Sequence, residues 1–208
     1  NLPEAAPPPA ARGRLRLLVP GQVAGDASLR YGGRAVRDDS ALLRAARARF
    51  PDAFMLYKPH PDVLTGLREG RACAEAEALA DHVEHRASAL QCLEWADQVA
   101  TITSLMGFEA LLRKRAVTTF GRPFYAGWGL TDDVDPPERS RALTLDALVA
   151  AALILHPRYI DPKSGLPATP EAALDALVAE RRRASKTFGR VRRMRRDIVS
   201  WLLNQIQL

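Results

Sequence analysis

The stretch Val99–Phe120, reading VATITSLMGFEALLRKRAVTTF, decides the fold. A short apolar and β-branched run, Val99–Thr103, meets Ser104, which can cap a helix over Gly107–Arg113. A second β-branched run, Val117–Phe120, follows at once. Strand, helix and strand joined this closely make a right-handed βαβ unit with parallel strands. Toward the amino terminus the same alternation recurs. Phe54–Tyr57 is a strand that ends in Lys58-Pro59-His60-Pro61, where two prolines forbid a helix and fix an extended loop. An Ala/Leu/Arg helix running to Phe50 precedes it, capped by Ser40 or Asp39, and Asp38 and Asp39 are explained by that capping. Leu15–Val19 is the first strand, stopped by Pro20-Gly21.

Short helices are expected over Val63–Leu67 and Ser88–Trp95. Beyond Phe120 comes a loop rich in glycine, proline and aromatics, Gly121–Gly129. Helices then follow from Thr144 to Leu155, over Thr169–Arg183 and over Val191–Leu208. The pattern predicts an α/β domain with a Rossmann-like parallel sheet flanked by helices, followed by C-terminal helices. Residues 1–13, rich in Pro and Ala, read as a linker, 14–185 as the Rossmann-like domain, and 186–208 as a basic amphipathic helix.

Composition narrows the function classes. The 208 residues are 47% hydrophobic, enough for a sizeable core. Nine of the 30 Lys and Arg, but one of the 24 Asp and Glu, lie from Arg181 onward, so the tail carries +8 and the rest −2. A nearly neutral body without an aromatic-basic face argues against a nucleic-acid binder. Cys73 and Cys92 sit in no CxxC pattern and read as free thiols in a reducing compartment. The chain starts at Asn1 with no signal-peptide pattern or apolar run of membrane-spanning length, and is expected to be an excised domain of a larger cytoplasmic protein.

In such sheets ligands bind beyond the carboxyl ends of the strands. Polar residues fall there repeatedly: Gln22 and Asp26, Lys58 and His60, Thr103 and Ser104, Tyr125 and Trp128. Ser104 opens a helix whose free N–H groups favour an anion, and Gly107 lets backbone approach a phosphate. Glu109 could hold ribose hydroxyls; the plainer alternative is an N-cap serine followed by a surface acid. His60, fixed between prolines, could donate to a leaving phosphate or be a surface loop residue. Asp133-Val134-Asp135 matches a metal-binding DxD pattern, but its setting before Pro136-Pro137 argues against a metal there. His82 and His85 have no third ligand at metal spacing, His156 ends a long helix before Pro157 and reads as structural, and no Walker loop, GxGxxG or zinc spacing occurs.

Four motifs occur in order: Gln22-Val-Ala-Gly-Asp26, Lys58-Pro-His-Pro61, Thr101-Ile-Thr-Ser-Leu-Met-Gly-Phe-Glu-Ala-Leu-Leu112 and Pro123-Phe-Tyr-Ala-Gly-Trp-Gly-Leu-Thr131. Together with His156–Pro162 they resemble the capsule polysaccharide synthesis family of the KpsC/LipB type, over roughly residues 15–162. The resemblance implies the donor-binding half of a two-domain GT-B glycosyltransferase. It would transfer Kdo from CMP-Kdo to a growing Kdo linker on a lyso-phosphatidylglycerol acceptor, with retention of configuration.

It also implies catalytic roles for Asp26, His60 and Gln22. Donor contacts would come from Lys58, Thr103, Ser104, Gly107, Glu109, Tyr125 and Trp128. Asp26 would be the nucleophile, its local alternative being an Asx-turn residue. Lys58 would meet the sugar carboxylate. One phosphate needs neither a P-loop nor a metal, so no cofactor is expected.

The partners implied are the nucleotide sugar, a glycolipid and the N-terminal acceptor domain that this chain lacks. The tail helix would rest on that domain or on the inner-membrane surface of the cytoplasm. The competing readings are a non-catalytic capsule assembly or export factor and a GT-B-like epimerase acting on a UDP-sugar.

Overall fold

The computed structural model describes residues 11–60 and 78–183. The expected helix over Val63–Leu67, Cys73, residues 1–10 of the linker and the basic helix over 186–208 lie outside the described residues. The described residues form two compact units that divide between Leu148 and Val149.

In the first unit β1 (Arg16–Pro20) leads through α1 (Ala27–Gly32) and α2 (Asp39–Arg49) to β2 (Phe54–Lys58). Then come β3 (His82–Val83), α3 (Ala89–Trp95), β4 (Gln98–Thr101), α4 (Leu105–Leu112), β5 (Ala116–Thr119) and β6 (Asp132–Asp133). The six strands lie in the order β3-β2-β1-β4-β5-β6, and every pairing is parallel. This is the doubly wound, Rossmann-like order, as the alternation of elements predicts.

The central strands are apolar because both their faces are covered. Leu17, Leu18, Val19, Met55, Val99 and Ala100 have no exposed surface, and Leu42, Leu43 and Ala46 of α2 pack into the same core. β2 runs one residue beyond its last apolar residue, to Lys58, in register with Pro20 of β1.

Local chemistry sets the helix starts. Asp38, not Ser40 or Asp39, caps α2, accepting from the Ala41 N–H, because its extended backbone (φ −147°) turns the side chain back over the first turn. Ser88 and Gln91 form a capping box on α3. The strand expected over Val99–Thr103 stops at Thr101, whose Oγ1 accepts the Ser104 N–H at 3.1 Å and turns the chain toward α4. α1 was not legible in the sequence; Asp26 caps it, with Oδ1 accepting the Ser28 N–H at 2.8 Å.

α5 (Leu145–Val149) begins where Thr144 Oγ1 accepts the Ala147 N–H, and it passes into a π-helix over Ala150–Leu155. The single α-helix expected to Leu155 is therefore interrupted: the His156 N–H bonds five residues back to the Ala151 carbonyl. The second unit also holds the antiparallel hairpin β7 (Tyr159–Ile160) and β8 (Pro167–Ala168) and a helix over 170–183. Among the described residues no helix is long and apolar enough to cross a membrane.

Candidate active site at the strand-order reversal

The strand order reverses at β1, between β2 and β4, which opens a crevice beyond their carboxyl ends. The loop after β1 and the loop after β4 are joined there by side chains. The Gln22 amide makes a two-bond bracket: Nε2 donates to Thr103 Oγ1 at 2.8 Å, and Oε1 accepts the Thr103 N–H at 3.0 Å. Thr103 Oγ1 in turn lies 3.3 Å from Ser28 Oγ in the first turn of α1. Gln22, Thr103, Ser28 and the Asp26 cap thus form one connected cluster. Both ends of the Gln22 amide are engaged with Thr103, so it organises the crevice rather than reaching Asp26 directly.

Ser104 adjoins this bracket. Its Oγ accepts the Met106 N–H at 3.3 Å, and its carbonyl accepts the Gly107 N–H. Tyr125 supports it from behind: the ring is fully buried, and its hydroxyl donates to the Ser104 carbonyl at 2.5 Å. Burial pushes the Tyr125 phenol far above its ordinary pKa, with the Asp133 charge adding to the effect, so this hydroxyl stays a donor. Gly107 is buried against the Tyr125 ring, where any Cβ would collide with the phenol. The glycine is thus needed for packing behind the loop.

The loop after β2 enters the crevice from the other side. His60 is half-buried, and its charge is felt by Asp39. Lys58 Nζ is turned toward β3, donating to the Glu84 carbonyl at 3.1 Å. Trp128 is held within its own loop: Nε1 donates to the Phe124 carbonyl, and the Arg139 guanidinium covers the ring at 4.1 Å. Glu109 is half-buried on α4.

The DxD acids have protein partners. Asp133 accepts from the Thr119 and Thr131 hydroxyls and the Gly127 N–H, tying the glycine-aromatic loop to β5. Asp135 pairs with Arg122 and Arg34. Among the described residues no cluster of three or more His, Cys, Asp or Glu is arranged to hold a metal.

One residue was missed. Asp39 lies beside the capping Asp38, but its carboxylate turns into the crevice floor. Oδ1 accepts the Gln22 N–H at 3.0 Å and Oδ2 accepts the buried Tyr57 hydroxyl at 2.6 Å. Burial raises its pKa, opposed by the bonds from Tyr57 and Gln22 and by His60, and reinforced by Asp38. The pair Asp38-Asp39 carried the one available signal, since a helix needs only one N-cap.

Comparison with known proteins shows the family and the fold. The family model described as "Capsule polysaccharide biosynthesis protein" matches residues 4–159. The chain is 48% identical over 167 residues to the capsule polysaccharide modification protein LipA of Neisseria meningitidis, covering 79% of this chain and 24% of LipA. It is 44% identical over 170 residues to the lipopolysaccharide-processing protein LpsZ of Rhizobium meliloti, covering 81% of this chain and 39% of LpsZ. Among solved structures it resembles Thermosulfurimonas dismutans KpsC, a beta Kdo 2,7 transferase. That match has a TM-score of 0.73 and 38% identity, and covers 81% of this chain and 54% of that one. The chain thus spans less than half the length of either curated relative.

Proposed function

The chain belongs to the capsule polysaccharide biosynthesis protein family, and from that premise we propose that it is the donor-binding half of a retaining Kdo transferase. The donor is CMP-Kdo and the acceptor a Kdo linker growing on lyso-phosphatidylglycerol. The acceptor-binding half belongs to parts of the protein beyond these 208 residues. No metal or other cofactor takes part. The observation that carries this reading is the Gln22–Thr103 bracket, which sets Asp26 and the Ser104 helix start on the two sides of one crevice.

The chemistry follows from that setting. The phosphate of CMP lies at the N-terminus of α4, where the helix dipole favours an anion. Glu109 meets the ribose. The sugar carboxylate is neutralised by Lys58, whose ammonium need only rotate from the Glu84 carbonyl. The Asp26 carboxylate attacks the anomeric carbon as the C–O bond to CMP breaks, giving a glycosyl-enzyme ester. His60 donates to the departing phosphate. An acceptor hydroxyl, giving its proton to the now neutral His60, then displaces the Asp26 carboxylate from the opposite face, so two inversions give net retention. The Ser28 N–H bond to Asp26 Oδ1 stiffens the nucleophile's side chain. Protein of this kind works on the cytoplasmic side of the inner membrane, where the lipid acceptor is met.

The test uses the full-length protein with CMP-Kdo and a Kdo-bearing acceptor. Asp26→Ala should lower transfer by about 10³-fold or more while CMP still binds. Mass spectrometry of the parent protein held with donor alone should find one Kdo on the peptide containing Asp26. Substantial transfer by Asp26→Ala removes the nucleophile assignment, and binding of the donor without any turnover by the parent favours an assembly factor instead.

A further inference from the structure

Asp39 has no remaining duty as a helix cap. Asp38 performs that role, with Oδ1 on the Ala41 N–H at 2.8 Å. The Asp39 carboxylate instead lies where three separate pieces of chain meet. A Cβ added to Gly21, at the end of β1, would sit 2.8 Å from Asp39 Oδ2, 3.0 Å from the Tyr57 hydroxyl and 3.1 Å from the His60 backbone nitrogen. Only glycine lets the start of α2, the end of β2 and the His60 loop close on the end of β1 at one point. The Gly21 N–H also bonds the Lys58 carbonyl at 2.8 Å, which locks the two loop roots together.

From this point the contacts run outward along the crevice. Asp39 Oδ1 fixes the Gln22 backbone, and the Gln22 side chain then reaches Thr103 with both ends of its amide. Asp39 Oδ2 is fixed by Tyr57, which is itself fully buried in the core between β1 and α2. The carboxylate is therefore anchored to the sheet on one side and holds the loop after β1 on the other. Its charge is also favoured electrostatically by His60. A side chain in this place acts on the reaction through Gln22 and His60.

We infer that Asp39 is a positioning residue of the transfer reaction, its carboxylate tying the Gln22–Asp26 loop to Tyr57 at the end of β2, from which the His60 loop departs. The inference rests on the transferase reading above, and it adds a residue to it. Misplacement of reacting groups by an ångström costs on the order of 10²-fold in rate, so a residue that sets their separation is felt mainly in turnover.

The experiment compares Asp39→Asn, Asp39→Ala and Asp38→Ala in the full-length protein, measuring kcat and donor KM for transfer from CMP-Kdo together with the thermal midpoint. Asparagine keeps the shape and can still accept from Gln22. It cannot offer Tyr57 a second acceptor in the same orientation, and it removes the charge that His60 favours. Asp39→Asn should lower kcat about tenfold or more while donor KM moves less than about threefold, with the thermal midpoint nearly kept. Asp38→Ala loses a helix cap, so it should lower the thermal midpoint with kcat near the parental value. Parental kcat in Asp39→Asn overturns the inference, as does a loss of kcat that merely tracks the thermal midpoint across all three variants. No transfer by the parent protein itself overturns the transferase reading, and this inference with it.

Discussion

The end of β2 runs between two carboxylates in unlike settings. On the β3 side Glu84 is nearly buried and accepts the N–H groups of Arg86 and Ala87 at 2.6 and 2.8 Å, with His82 Nε2 at 3.4 Å. On the β1 side Asp39 accepts one backbone N–H and one tyrosine hydroxyl. Burial is the largest influence on both acids, and it pushes both pKa values upward. At Glu84 the two backbone donors, then the bond to and charge of His82, overcome it, and the carboxyl ends below its ordinary value. At Asp39 the Tyr57 and Gln22 bonds do not, and Asp38 adds a like charge, so the carboxyl ends above its ordinary value.

Heavier desolvation of the Asp39 carboxylate, with the like charge of Asp38, separates the two. Glu84 is a satisfied staple for the turn that follows β3. Asp39 is held with its charge less fully compensated, as acids at functional sites tend to be.

Removing Glu84 should have the largest effect on stability. Glu84→Ala strips the acceptor from two backbone donors, and Ala87 is itself buried. The expected loss is about 3 kcal/mol, read as the fall in unfolding free energy in urea. A loss under about 1 kcal/mol would erase the distinction between staple and site acid.

Tyr57→Phe sharpens the other side. It deletes the donor to Asp39 Oδ2 and leaves the ring in its core position, so about 1 kcal/mol should be lost in the same measurement. No loss at all would mean that the hydroxyl does not hold the carboxylate.

The smallest effect, and the most diagnostic, is in the pH dependence. A lowered folded pKa means that Glu84 contributes stability above the ordinary carboxylate range and loses it as pH falls through the folded value. A raised folded pKa gives Asp39 the opposite sign. It subtracts stability as pH rises from the ordinary value to the folded one, and restores it as pH falls through that window. On acidification the parent's advantage over Glu84→Gln should therefore shrink, while its stability relative to Asp39→Asn should grow. Two curves of the same sign would break the comparison.

Much of this was legible in the sequence because it rests on local rules. The buried strands announced themselves as apolar, β-branched runs, and the four main ones fall within a residue or two of their expected places. Ser88, Ser104, Thr144 and Thr169 each accept from the first turn of a helix, as their positions suggested. The two-residue strands β3 and β6 were not legible, since a pair of residues has no period to detect. They exist because a neighbouring strand offers free edge groups.

The motifs tell a similar story. The Phe-Tyr-Ala-Gly-Trp-Gly run is the most conspicuous in the chain, and it identifies the family. Yet Tyr125 turns inward under Ser104, and Trp128 bonds within its own loop beneath Arg139. Asp39 stands in no motif, and with Gln22 it carries the contacts between loops.

What the sequence determined by itself was the order of elements, the parallel sheet and the set of loops that crowd its carboxyl edge. Those follow from hydrophobic period, capping and proline geometry, all of which act over a few residues. Only the tertiary structure decided which acid caps a helix and which one enters the crevice. The choice between Asp38 and Asp39 depends on Gly21, Tyr57 and Gln22 arriving at one place, and a carboxylate takes its role from the donors that surround it after the chain has folded.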